Sequence, residues 1–152
     1  MNNQSSNVLQ IIKPEPVIEG AGVRLKRSIA TATLDHLDPF LLFDHFGSDN
    51  PDDYIKGFPM HPHRGIETVT YMIEGEVNHR DSMGNSGSIS GGDVQWMTAG
   101  SGIIHQEMPQ GDEQGRMHGF QLWANLPSSL KMTPPRYQEV QSADIPEVAD
   151  DD

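Results

Sequence analysis

From residue 23 onward, apolar and polar positions alternate in short runs broken by turn residues, a pattern that predicts strands and no amphipathic helix. Residues 23–29 (VRLKRSI) carry the period of a half-buried strand. Residues 66–73, rich in Thr, Val and Tyr, predict the strongest strand, and Glu74-Gly75 turns the chain into a further strand at 76–81. Gly84-Asn85 and Gly87 mark the next turn, and Gly91-Gly92-Asp93 leads into a strand at 94–98. Gly100 and Gly102 bracket a bend before 103–108, and a final long strand at 117–126 is closed by Pro127. Residues 37–47 (LDPFLLFDHFG) are dense in Phe and Leu. Pro39 cannot donate to a ladder, so this run predicts an aromatic segment lying on a sheet rather than a regular central strand. Residues 48–60 read as a loop.

The ends look different. Residues 1–21 are polar and broken by Pro14, Pro16 and Gly20, which predicts a loose leader with one short strand at 8–12. Residues 131–152 carry Pro134, Pro135 and Pro146 and end in three aspartates, which predicts a tail outside the core. No internal repeat is present. The expected fold class is therefore all-β, a single-domain barrel or sandwich.

Composition narrows the function classes. The chain has 152 residues, one domain's worth, and a formal net charge of −12. So acidic a surface repels phosphate backbones, which excludes direct nucleic-acid binding as the expectation. With no cysteine there is no disulfide, no thiolate metal site and no cysteine nucleophile. No run is long and apolar enough for a membrane span, and the first ten residues lack a basic and an apolar region, so the expected location is the cytoplasm.

Two short clusters carry candidate chemistry: His61-Pro62-His63 and His105-Gln106-Glu107. In a strand, residues i and i+2 share a face, so each cluster presents two ligand-type side chains together. If the two strands are neighbours and both pairs face inward, three imidazoles and a carboxylate converge. The odd positions that follow His63, namely Val69, Tyr71 and Ile73, are apolar beyond Glu67, as expected for an interior face. A nitrogen and oxygen donor set without sulfur suits Fe(II), Mn(II), Ni(II), Cu(II) or Zn(II). Four protein ligands on an octahedral ion leave two positions for water, O2 or substrate.

Other residues have plainer readings beside the functional one. Glu67 is either a rival ligand or an ion-pair partner of Arg64 or Arg80. His79 and Asp81 flank a Gly-rich turn and read as a solvated hairpin. His118 reads as a hydrogen-bonded histidine at the core edge, whereas His36 and His45 have no evident partner. Trp96 and Trp123 read as core or pocket wall. Met60, Met72, Met97 and Met108 read as core filling or as an adaptable apolar lining.

The stretches GFPMHPHRGIETVTY (57–71) and GDVQWMTAGSGIIHQEMP (92–109) closely resemble the N-terminal cupin domain of the pirin family, and DHFG (44–47) and GFQLW (119–123) fit the same family. The resemblance covers roughly residues 20–145. It implies a cupin-type β-barrel, a double-stranded β-helix, with one mononuclear iron held by His61, His63, His105 and Glu107. In many other cupins the carboxylate comes from the first motif, which here is Glu67; the pirin pattern takes it from the second. Pirins have two cupin domains, the second without metal. The implied division is a leader at 1–21, the cupin domain at 22–130, and at 131–152 an acidic tail or truncated linker to an absent second domain. An apolar face left open by that absence would be exposed or covered by self-association.

The resemblance also implies function. Family members include quercetin 2,3-dioxygenases, which open a flavonol ring with O2 and release carbon monoxide. The expectation is an Fe(II)-dependent dioxygenase of this type, with Glu107 taking the proton of the flavonol 3-hydroxyl group. The alternative is a redox-sensitive, iron-containing regulatory protein that binds a transcription factor or an enzyme without turnover.

Overall fold

The structure is a computed structural model that describes residues 8–149. Eleven strands follow one another: β1 (Glu15–Glu19), β2 (Val23–Ile29), β3 (Phe40–Ser48), β4 (Phe58–His63), β5 (Ile66–Glu74), β6 (Glu76–Asp81), β7 (Ser86–Ser90), β8 (Val94–Thr98), β9 (Ile103–Gln110), β10 (Met117–Asn125) and β11 (Arg136–Val140). They build two antiparallel sheets, of order β1-β2-β3-β10-β5-β8-β11 and β4-β9-β6-β7. The all-β, cupin-type fold expected from the sequence is the fold observed. The core lies between the sheets, where Val23, Leu25, Phe46, Met72 and Met117 of one meet Val77 and Ile89 of the other. Met72 and Met97 are wholly buried, and each such side chain contributes roughly 1.5–3 kcal/mol through burial.

Three expectations are corrected. Residues 8–14 form no strand; the N-terminal strand is Glu15–Glu19, paired with β2. Val8, Leu9 and Ile11 are exposed, whereas Val17 packs on the core. Pro16 is tolerated because β1 is an edge strand, where a missing N–H costs no ladder bond. Residues 40–48 are a central strand between β2 and β10, since Pro39 lies one residue before the strand and takes nothing from its ladder. The segment after 131 is not all tail: Arg136–Val140 adds to β8, and Tyr137 packs against Met97, Ala99 and Ile103.

A fourth correction concerns parity. His61 and His63 face the interior, but on β5 the buried residues are Thr68, Thr70 and Met72, and Tyr71 and Ile73 are exposed. The turn at Arg64-Gly65 separates strands of different sheets, so the odd-numbered face of β4 does not continue into β5. Tyr71 and Ile73 form an apolar outer face with Trp96, which lies opposite Val69.

Gly100 shows why the bend before β9 needs glycine. Its φ is +50°, and a Cβ there would lie 2.1 Å from the Thr133 carbonyl oxygen. That close approach brings the segment leading to β11 against the body of the fold; the Ser101 N–H donates to the same oxygen at 2.9 Å.

Candidate metal centre

Antiparallel pairing of β4 with β9 sets His61 directly opposite His105. Cross-strand partners share a face, so the two clusters that are separate in sequence point into one interior. The rings of His61, His63 and His105 lie with centroids 4.5–4.9 Å apart, and one ring nitrogen of each falls within 4.8 Å of the others. Among the described residues they are the only group of three or more potential ligands so arranged.

The protonation pattern suits a cation. His61 Nδ1 lies 2.8 Å from the Pro59 carbonyl oxygen, so Nδ1 carries the hydrogen and Nε2 offers its lone pair. His61 Nε2 and His63 Nε2 are 3.0 Å apart. Burial, then the neighbouring His61, lowers His63 to about 4. Burial, then the neighbouring histidines, lowers His105 to about 3. Both rings are therefore neutral at neutral pH and available as ligands. His105 is 1% exposed, and neither of its ring nitrogens has a hydrogen-bond partner. A bound transition ion would satisfy one of these buried nitrogens, its lone pair joining those of two further imidazoles.

Glu107 is two residues beyond His105 on the same face and is 6% exposed. Its carboxylate is not in the three-histidine group; it accepts a hydrogen bond from Gln121 Nε2 at 3.2 Å and lines the same cavity as His61 and His63. Burial pushes this carboxyl up, against the pull of His61 and the Gln121 hydrogen bond. The cavity has a volume of about 610 Å³. Its far wall belongs to the other sheet: Leu42, Asp44, Gln121 and Trp123. Trp123 stands edge-on to His63, 4.9 Å between centroids, and its Nε1–H donates to Gln121 Oε1 at 3.3 Å. Met60 lines the cavity, whereas Met72 and Met97 fill the core.

The rival ligand Glu67 lies on the outer face of β5 and accepts from Thr98 Oγ1 at 2.8 Å, away from the histidines. His79 is not solvated. It is 4% exposed, its Nδ1 accepts from the Tyr137 hydroxyl at 2.9 Å, and its Nε2 bonds to Glu139, so β11 closes over it. Asp81 does hold the hairpin turn, accepting from the Met83 and Asn85 N–H groups. His45 does have a partner, His118. Gln121 and the Arg27–Asp44 pair were not singled out from sequence. On β10 the even positions Phe120, Leu122 and Ala124 are the apolar ones, yet the odd positions Gln121 and Trp123 line the cavity, so alternation alone does not mark them.

The pirin family profile matches residues 22–124. A pirin-like protein of Caulobacter vibrioides is 55% identical over 144 residues, covering 95% of this chain and 52% of its own. The crystal structure of quercetin 2,3-dioxygenase from Acinetobacter baumannii superposes with a TM-score of 0.76 at 39% identity, covering 91% of this chain and 50% of that one. A bacterial pirin of Escherichia coli crystallised with nickel(II) superposes with a TM-score of 0.64 at 27% identity, covering 84% of this chain and 54% of that one. The chain thus spans about half the length of these relatives. No helix among the described residues is long and apolar enough to cross a membrane. With the three histidines gathered within 4.8 Å of one another and the family profile running across both clusters that supply them, the chain belongs to the pirin family.

Proposed function

We propose that His61, His63, His105 and Glu107 hold one mononuclear ion, Fe(II), and that the chain is a dioxygenase of the quercetin 2,3-dioxygenase type acting on flavonols. The observation that carries this reading is the convergence of three imidazoles, with both nitrogens of His105 buried and unpartnered. The donor set of imidazole nitrogen and carboxylate oxygen, without sulfur, fits Fe(II) and its first-row neighbours. The Acinetobacter baumannii relative bears the dioxygenase name, and the Escherichia coli relative binds nickel.

When bound, the ion supplies Lewis acidity toward a phenolic oxygen and one-electron chemistry toward O2. The chain's own residues do the rest. Leu42, Met60 and Trp123 give the cavity apolar walls, and its volume lies within the range of small-molecule sites. Glu107, its carboxyl pushed up by burial, takes the proton of the 3-hydroxyl group. Gln121 orients Glu107, and Trp123 in turn orients Gln121.

The test is oxygen uptake and carbon monoxide release with quercetin, on chain reconstituted with Fe(II). Turnover lost in His105→Ala supports the reading. Turnover no higher in the native chain than in that variant overturns it.

A further inference from the structure

Outside the cavity, the outward face of the seven-stranded sheet carries a second pair of imidazoles. His45 on β3 and His118 on β10 are diagonal neighbours, because His118 pairs with Gly47 and His45 pairs with Phe120. Their Nε2 atoms lie 2.7 Å apart, with ring centroids 4.8 Å apart and the rings inclined at 64°. Gly47 makes the approach feasible: a Cβ there would sit 3.2 Å from both His45 Nε2 and His118 Cδ2. Across β10 and β5, His118 pairs with Glu74. Glu74 and Asp49 open onto the same surface depression as both histidines, about 280 Å³ in volume.

We propose that His45 and His118 form a second metal site, for one borderline divalent transition ion of the Zn2+, Cu2+ or Ni2+ class, with water completing its coordination and the Glu74 carboxylate nearby adding negative charge. Imidazole suits these ions. Two nitrogens bound to a tetrahedral ion at about 2.0–2.1 Å lie about 3.3 Å apart, so the rings need to open by only about 0.6 Å. Lys26 lies opposite His45, and Arg116 bonds Glu74 Oε1 at 2.9 Å; these cations oppose the ion, while Glu74, Asp49 and the acidic surface favour it. An ion here would tie β3 to β10 without touching the cavity, because the two histidines lie on the opposite face of the sheet from Asp44 and Gln121.

The test is equilibrium dialysis of the chelator-stripped full chain against Zn2+, with bound zinc counted by elemental analysis. Native chain, His45→Gln, His118→Gln and His61→Ala are compared, with circular dichroism confirming the fold of each. One bound zinc lost in both His45→Gln and His118→Gln, and a His45-dependent zinc kept in His61→Ala, is expected. Anomalous scattering at the zinc edge should place that ion between His45 and His118. An equal zinc count in the native chain and in both variants overturns the inference. That outcome is separate from failure of the cavity site, which shows as an unchanged count in His61→Ala.

Discussion

His61 and His105 stand opposite one another on β4 and β9, their ring centroids 4.5 Å apart and no hydrogen bond satisfying either nitrogen of His105. Without an ion, such a residue costs the fold about 1–3 kcal/mol for its unpaired polar atoms. His105→Met is therefore expected to raise the stability of the metal-free chain by about 1 kcal/mol, on that same scale, while abolishing tight metal binding. Urea unfolding of stripped protein and calorimetric metal titration check the two halves of this prediction.

Gln121 is the donor to Glu107 and also hydrogen-bonds Thr70. Gln121→Leu leaves the three histidines in place but releases the carboxylate. Loss of such an outer partner lowers metal affinity by about 10–100-fold. Calorimetry should show that drop with an unchanged number of bound ions.

Arg27 binds Asp44 through two 2.8 Å hydrogen bonds and reaches Glu19 with a third. Burial raises the Asp44 carboxyl, against the pull of the Arg27 hydrogen bonds and charge. Arg27→Met strands a buried carboxylate and should destabilise the fold by about 3–5 kcal/mol. Adding Asp44→Leu should recover most of that loss. Denaturant midpoints of the single and double variants measure the difference.

Asp93 clamps the chain after β11, accepting from the Ser142 N–H at 2.9 Å and from the Ser90 N–H and hydroxyl. Burial pushes its carboxyl up, but these donors outweigh burial and hold it below the ordinary value of 3.8. The folded value is the lower one, so the clamp contributes fully above about pH 4 and weakens as pH falls through that lower value. Hydrogen-exchange protection factors over residues 136–144 should be kept at pH 5 and fall only in stronger acid. Asp93→Ala should show the lowered protection at neutral pH.

Local pattern was enough to place the strands at 76–81 and 94–98 and to pair His61 with His63 and His105 with Glu107, because i and i+2 share a face whatever the rest of the chain does. It could not show that β4 and β5 belong to different sheets, so the face assigned to Val69, Tyr71 and Ile73 was the wrong one. His79 with Glu139 and His45 with His118 are contacts 60 and 73 residues apart in sequence, and they depend on strand order, which no local period encodes. The edge strands β1 and β11 are hidden for a related reason: prolines read as breakers, although an edge tolerates Pro16 within β1 and Pro134-Pro135 lie before β11.

The histidines that gather at the cavity come from β4 and β9, whereas Leu42, Gln121 and Trp123 stand on the facing sheet. On the proposed function, drift at position 42 would retool which ring system is admitted from a sheet that carries no ion ligand, whereas position 123, whose indole stands edge-on to His63, ties guest shape to ion retention in heredity as well as in space.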